Sequence, residues 1–396
     1  MGRRAQVFGL LTVNQYVPFF AEMKRMNILI TGGAGFIGSH IADALVLRGH
    51  TVRIFDNLDP QVHPGGNPPS YLNPRAEFIK GDVRDRAALH KALDGINAVF
   101  HHAAAVGVGQ SQYKVEHYTD VNIRGTAVLM DILANEPHAV RKVVVASSMS
   151  SYGEGEYVCV RCGTVKGAMR RAADLEKGDW ENYCPGCHGR LTVAATREEA
   201  RRTPNSIYSI AKMAQEDIVL NIGLTYGIPS VALRYFNVYG PRQSLSNPYT
   251  GVSAIFMTRI KCGNRPVVYE DGGQSRDFVS VDDVVAANLL ALEKSGADYK
   301  ALNIGCGVPT PIRVVAETLA RLHGRPDIEP QITGTCRKGD IRHCYADLTR
   351  ARKLLGYTPA VNFEEGMKRL IEWARTADAN DHFDAAAKEL SDKGLA

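Results

Sequence analysis

An α/β fold, a doubly wound parallel sheet with a smaller C-terminal lobe and one inserted module, is what this sequence of 396 residues predicts. Three observations carry that prediction. A short apolar run at 27–31 leads directly into a glycine-punctuated segment with helical periodicity. Comparable strand-ending segments recur at 51–57, 76–85, 96–105 and 142–148, with helical intervals between them. The interval after the last of these holds two Cys-x-x-Cys pairs that fit neither pattern.

Composition narrows the class. With 45% apolar residues and a formal net charge of +5, the chain can bury a large core and reads as an ordinary globular protein. No run of 18 apolar residues occurs, and residues 1–25 do not combine the basic start, apolar middle and small-residue cleavage site of a secretory signal. The expectation is a cytoplasmic protein without a membrane span. The charge is weak and dispersed, with no block of Lys and Arg, so nucleic acid is not an expected partner. Residues 1–25 precede the recognisable fold and read as a disordered extension or as an upstream start, with Met23 or Met26 as the natural first residue.

The first element, NILIT at 27–31, reads as a buried parallel strand, and GGAGFIGSH after it opens a helix. Gly32, Gly35 and Gly38, with Phe36 and Ile37 among them, form a turn whose missing side chains let a pyrophosphate reach the helix N-terminus. The second strand, TVRIFDN, ends on Asp56 and Asn57, about twenty residues beyond the glycines. A carboxylate there accepts hydrogen bonds from an adenosine ribose and repels a 2′-phosphate, which favours NAD over NADP. A turn cap before Asn57 is the competing reading of Asp56. AEFIKGDVRD places Asp82 and Val83 at the next strand end, and INAVFHHAAA supplies the small Ala103 and Ala104 where backbone must approach a cofactor. His101 and His102 read as packing residues with no catalytic role.

The strand KVVVASSMSSYG and the segment NSIYSIAK provide Ser147, Ser148, Tyr208 and Lys212. Tyr208 and Lys212 are four apart and share one face of a helix. An ammonium beside a phenol lowers the phenol's pKa, so Tyr208 is expected to take a proton from a sugar hydroxyl as a hydride leaves for nicotinamide. A serine can share that proton.

Taken together, TGGAGFIGSH, the strand ending in Ser148, YSIAK, LRYFNVYGPRQ, DGGQSRDFVSVDDV and KGDIRHCYAD resemble the extended short-chain dehydrogenase/reductase family, over about residues 26–375 apart from one insertion. The later motifs are similar to those of NAD-dependent nucleotide-sugar epimerases and dehydratases. The resemblance implies a Rossmann-type domain at 26–240, a mainly substrate-binding lobe at 241–375, and a nucleotide-diphosphate sugar, on a deoxythymidine or uridine base, between them. It implies proton chemistry by Ser148 and Tyr208, with Lys212 holding the cofactor ribose and Asn122 lying on the nicotinamide side. Asn237 would touch the sugar or its diphosphate, and Arg276 the nucleotide diphosphate. Arg337, Asp340 and Arg342 are further candidates, with a surface ion pair as the equal alternative for Arg342. A homodimer through the helices holding residues 119–134 and 206–222 is also implied. The segment LNIGCGVPTPI is expected to return one strand to the main sheet, and the polar, alanine-rich stretch 376–396 to be a frayed helical tail without function.

One departure narrows the reaction. The family's dehydratases resemble S-T-D-E-V-Y-G at the Ser148 strand, whereas Met149 and Ser150 stand here at the acidic positions. Methionine cannot exchange a proton, so water loss lacks its acid and base. What remains is oxidation to a ketone, rotation, and hydride return to the other face, which is epimerisation, most often at C4. An NAD-dependent dehydrogenase or reductase is the alternative, and a non-catalytic dinucleotide-binding protein with a zinc-ribbon partner site is another.

The insertion, at 154–200, carries Cys159-x2-Cys162 and Cys184-x2-Cys187 with 21 residues between the pairs. That spacing is close to a tetrahedral zinc ribbon, and four thiolates leave no open position for catalysis, so a structural Zn is expected. A thiol redox pair is the rival reading. His188 reads as a bystander. Lys166, Arg170, Arg171 and Lys177 are expected on a solvated face, with an anionic sugar nucleotide as the alternative they could suit, and whether the ribbon covers substrate, supports a dimer or braces a loop stays open.

Overall fold

The computed structural model describes residues 25–395. The expectation for the N-terminal extension therefore falls, but for its last residue, outside the described residues. Parallel strands β1 (Asn27–Thr31), β2 (Thr51–Asp56), β3 (Glu77–Lys80), β4 (Ala98–His101) and β5 (Lys142–Ser148) form in the order that the apolar runs predict. After them come the inserted strands β6 (Glu156–Cys159), β7 (Gly163–Lys166) and β8 (Thr192–Ala194), and then β9 (Ser230–Tyr235). Next come β10 (Asn237–Tyr239), β11 (Val267–Val268), β12 (Ser275–Ser280) and β13 (Lys300–Ile304).

The main sheet has the order β13-β9-β5-β4-β1-β2-β3 and is parallel throughout. The chain reverses direction across the sheet at β1, so the crevice beyond that strand's carboxyl end is the natural ligand site. Helices cover both faces, which is why the strands read as continuous apolar runs. Ile28, Ile30, Val144 and Leu233 enter one core, while Leu29, Val143, Val145 and Ala232 enter the other, with period two. Burying each such side chain contributes about 1.5–3 kcal/mol. β13 returns beside β9, with Leu302 opposite Leu233, as the sequence predicts.

The C-terminal lobe has its own core, formed where the helices Val252–Lys261, Ile312–Leu322 and Phe363–Thr376 pack together. The insertion is a three-stranded antiparallel sheet, β7-β6-β8. It is stitched to the chain near β12: Gly155 N donates to His343 O at 2.8 Å and Thr196 N to Tyr345 O at 2.8 Å. Among the described residues no helix is long and apolar enough to cross a membrane.

The segment 376–396 corrects its expectation. It holds a helix, Phe383–Asp392, which docks on the C-terminal lobe with Ala386 and Leu390 buried. Asp384 pairs with Arg259 at 2.8 Å, and Asn264 Nδ2 donates to Asp381 Oδ2 at 2.7 Å. Its apolar stripe is only four residues wide and half alanine, so overall composition conceals it.

Candidate functional site

A cavity of about 670 Å³ runs from the end of β1 to the face of the C-terminal lobe. Its first part is the glycine turn. Gly32 has φ +70°, and a Cβ there would meet the backbone of Ala103 at 2.7 Å. A Cβ on Gly38 would lie 2.5 Å from Gly32 O. The helix Phe36–Leu47 begins with no side-chain cap, which leaves its first N–H groups to an anion. Gly38→Ala is expected to cost about 1–3 kcal/mol in overpacking and to strip the chain of bound dinucleotide, as measured by nucleotide release on denaturation.

Asp56 accepts from Ala34 N at 3.0 Å and from Leu58 N at 2.9 Å, so it holds the glycine turn while also lining the cavity. Burial raises its pKa against the pull of those two amides. The turn cap and a carboxyl facing the cavity thus coincide in one residue. Asn57 donates to Asp82 at 3.0 Å, and the Arg84 guanidinium holds Asp82 well below the usual carboxylate range. Phe36, Ile37, Val83, Ala103 and Ala104 also form cavity wall.

Asn122 does not. It is fully buried in a π-helical stretch, Thr119–Arg124, and clasps Ala105 by accepting from its N–H at 2.7 Å and donating to its carbonyl at 3.1 Å. It shapes the Ala105 loop from behind and does not itself reach the cavity wall. His101 is satisfied by Thr31 at 2.8 Å and Thr126 at 2.9 Å, as its reading as a packing residue expects. His102 also lines the cavity and contacts the Tyr235 hydroxyl at 3.0 Å.

Ser148 ends β5, and Tyr208 and Lys212 come from the first turns of the helix Ile207–Tyr226, whose N-cap Ser206 accepts from Ser209 N at 3.1 Å. All three face the cavity. Ser148 hydrogen-bonds the Tyr208 phenol, and the Lys212 ammonium donates to Ala146 O at 2.9 Å. Ser147 points away, donating to Glu216 at 2.6 Å in the buried network of Arg234. The expected lowering of the Tyr208 pKa is reversed. Burial pushes the phenol up to about 12, with only the Ser148 bond opposing it, and pushes Lys212 down to about 7. Desolvation disfavours both charged forms.

At the far end the cavity is lined by Asn237, Arg276, Arg337 and Asp340. Asn237 Oδ1 is buried without a hydrogen-bond partner among the described residues, as is Ser150 Oγ. Such atoms in a cavity wall point to a polar ligand. Arg276 donates to the carbonyls of Ser275 at 2.8 Å and Ile341 at 2.7 Å, which hold its guanidinium at the wall. Arg337 pairs with Asp340 at 2.9 Å and stacks over Tyr269. Arg342 is corrected on both readings. Only 3% of its side chain is exposed, it lies outside the cavity wall, and it is held by Glu181, Glu270 and Asp271 at 2.6–2.9 Å. Sequence reasoning named Ser150 only for the acid it replaces and gave no role to Gln243 and Gln274 within the motifs LRYFNVYGPRQ and DGGQSRDFVSVDDV, yet all three residues line the cavity and each has a buried oxygen without a hydrogen-bond partner among the described residues. It also missed Phe383 and Leu390 from the C-terminal helix.

The Sγ atoms of Cys159, Cys162, Cys184 and Cys187 all lie within 4.8 Å of one another, and none is in a disulfide. A tetrahedral Zn²⁺ with bonds of about 2.3 Å requires sulfurs about 3.8 Å apart, so the cluster fits. Backbone N–H groups of Cys162 and Arg161 pull the Cys159 thiol down to about 6, whereas the neighbouring thiols push Cys162 up to about 12 and raise Cys187, so the sulfur geometry and not the thiol acidity carries the fit. Around the cluster, the expected solvated basic face is half corrected. Arg171 and Lys177 are exposed, whereas Arg170 is buried against Glu270 at 2.6 Å and donates to Asp340 O at 3.0 Å. Lys166 is partly buried over the Tyr152 ring. Glu154 accepts from the N–H groups of Arg342 and His343 at 2.8 and 2.7 Å. The ribbon therefore braces the loop that carries Arg337 and Asp340.

Glu181, held by His343 and Arg342, has its carboxyl lowered from 4.5 to about 2. A depressed carboxyl contributes stability that is present above its unfolded pKa and is lost as pH falls through the folded one. The urea midpoint of the wild type should thus fall between about pH 5 and about pH 2.5 more steeply than that of Glu181→Gln. Equal slopes would remove Glu181 as the acid-sensitive clamp.

Comparison with known proteins agrees with this geometry. Residues 28–167 and 187–305 match the model of the NAD dependent epimerase/dehydratase family, and the break between the two falls inside the ribbon. The chain is 37% identical over 349 residues to dTDP-L-rhamnose 4-epimerase of Burkholderia thailandensis, covering 88% of this chain and 94% of the relative. It superposes on UDP-glucose 4-epimerase of Thermotoga maritima, solved with UDP-glucose, with a TM-score of 0.73 and 33% identity, over 88% of this chain and 99% of the other. The Thermus thermophilus UDP-glucose 4-epimerase complex with NAD matches with a TM-score of 0.70 and 28% identity, over 89% and 100% of the two chains. With the glycine cradle, the Ser148, Tyr208 and Lys212 constellation and these matches together, the chain belongs to the NAD dependent epimerase/dehydratase family.

Proposed function

We propose that this protein is an NAD-dependent nucleotide-sugar epimerase that inverts C4 of the glycosyl group of a dTDP- or UDP-sugar. The observation that carries this reading is the convergence of Tyr208, Ser148 and Lys212 on one cavity, with a dinucleotide cradle at one end and Asn237 and Arg276 at the other. Bound NAD supplies the hydride acceptor and, later in the same turnover, the hydride donor. Tyr208 receives the proton of the sugar hydroxyl as the C4 hydride departs, and Ser148 hydrogen-bonds the phenol through the transfer. The Tyr208 phenolate, which burial disfavours, would be favoured by the positive charge of an oxidised nicotinamide. Lys212, whose ammonium donates to Ala146 O, would hold the cofactor ribose. The keto sugar then rotates within the site, so that the hydride would return to the opposite face of C4 while Tyr208 gives its proton back to the C4 oxygen. Met149 and Ser150, both in the cavity wall, leave no carboxyl group at the dehydratase positions to eliminate water.

The test is incubation of purified protein with UDP-, dTDP-, GDP- and CDP-sugars without added NAD. Interconversion of one epimer pair with no net NADH is expected. Stoichiometric NADH would mean a dehydrogenase, and silence across the panel would leave a dinucleotide-binding protein. We also infer that Cys159, Cys162, Cys184 and Cys187 hold one structural zinc, which the sulfur spacing and the absence of disulfides among these cysteines support. A homodimer through the helices Gly125–Asn135 and Ile207–Tyr226 is the assembly we infer. Leu224, 66% exposed, and Tyr226 stand uncovered on the second helix, and sedimentation equilibrium at twice the chain mass is the expected result.

A further inference from the structure

The C-terminal helix Phe383–Asp392 presents Phe383, Ala386, Ala387 and Leu390 to the cavity. Their spacing puts them on one face of the helix, and none of them carries a polar side-chain atom. Leu390 abuts the turn at 107–111, where a Cβ on Gly109 would lie 3.2 Å from its Cδ2. Ser111 of that turn accepts from Tyr208 N at 3.0 Å. The helix therefore lines the cavity against the turn that also meets the backbone of Tyr208. Beyond the helix, Leu395 O accepts from Lys338 N at 3.2 Å, which ties the end of the chain to the loop of Arg337 and Asp340.

The segment is fastened at both ends. At its start Arg259 pairs with Asp384 and with Asp381, and its guanidinium lies 4.8 Å from the Phe383 ring centroid. At its end Glu389 accepts from the Tyr249 hydroxyl at 2.7 Å, and Tyr249 in turn contacts the Tyr113 hydroxyl at 2.9 Å. A helix held this way is a fixed wall.

Resting on the epimerase reading, we propose that this helix is the glycosyl-selecting wall of the site. Its apolar face packs on the C–H surface of the sugar, the two alanines set the width available to ring substituents, and Leu390 keeps the keto sugar enclosed while it rotates. Loss of that enclosure has a defined chemical result. The keto sugar leaves carrying two fewer electrons, the hydride stays behind as NADH, and the hydroxyl proton passes to solvent.

The test uses full-length Ala387→Trp, Leu390→Trp and Leu390→Ala, with Lys388→Ala on the exposed face as control. Calorimetry compares UDP and dTDP with UDP-glucose and dTDP-L-rhamnose. For whichever sugar nucleotide the wild type interconverts, both Trp variants should bind roughly tenfold or more weakly, with the free diphosphates within about twofold of wild type. Leu390→Ala, which introduces no clash, should accumulate NADH absorbance during turnover where the wild type and Lys388→Ala do not. Equal losses for free diphosphate and sugar nucleotide, or no loss together with no NADH accumulation, would overturn the wall. A wild type that interconverts neither sugar nucleotide overturns the C4-epimerase reading for these sugars, and the inference with it, before any variant is made.

Discussion

Tyr208→Phe is expected to lower turnover by about 10²–10⁴-fold, the range for removing a positioned acid–base group, while leaving sugar-nucleotide affinity within about threefold. The phenol lies in the cavity, bonded to Ser148, and removing its oxygen deletes the proton acceptor and leaves the ring's packing against Tyr118 intact. Its direction in pH is also set. Burial holds the free phenol near 12, so transfer improves as pH rises wherever the phenolate limits the rate. Ser148→Ala should retain more activity than Tyr208→Phe, since serine shares the proton without being its acceptor. Initial rates on the active sugar nucleotide, with its Kd from calorimetry, separate the two effects. Wild-type turnover in Tyr208→Phe would remove the catalytic assignment.

Cys184→Ser is the second large effect. It is expected to take the zinc content of freshly reduced protein from one per chain to near zero and to lower the melting temperature by roughly 5–10 °C. The reason is that four sulfurs close a ribbon whose own sheet, β7-β6-β8, is too small to hold itself together. The consequence reaches the site, because Arg170 and Glu181 of the ribbon hold the loop of Arg337 and Asp340 through Glu270, Arg342 and the Asp340 carbonyl. Affinity for the sugar nucleotide should therefore fall several-fold in Cys184→Ser, with retained NAD unchanged. Full zinc content in the variant, measured by plasma emission, would rule out the four-thiolate site. Zinc-free wild type with reversible Cys–Cys oxidation would favour the redox reading instead.

Much of this molecule is written locally. The cradle follows from glycines of short spacing, because at Gly32 and Gly38 only a residue without Cβ survives 2.5–2.8 Å from neighbouring backbone. Tyr208 and Lys212 follow from the four-residue period of a helix. The two cysteine pairs follow from ligand spacing. Asn122 and Arg342 were legible as important residues but not in their roles. One clasps the Ala105 backbone and the other sits among three carboxylates, and both arrangements are made by segments 17 to 161 positions apart in sequence. The Tyr208 pKa was misread for the same reason, since burial is a property of the assembled fold.

By itself, then, the sequence determined the strand and helix order, the dinucleotide cradle, the Ser148, Tyr208 and Lys212 set and the four thiols, because each depends on interactions within a few residues or on a repeated period. Only the tertiary structure decided that the ribbon braces the Arg337 loop, that Arg342 serves that brace, and that the alanine-rich C-terminal segment lines the cavity against the turn that meets the backbone of Tyr208. Those outcomes depend on which surfaces meet across long loops, where the free energy comes from burial and charge pairing between distant segments and leaves no local pattern to read.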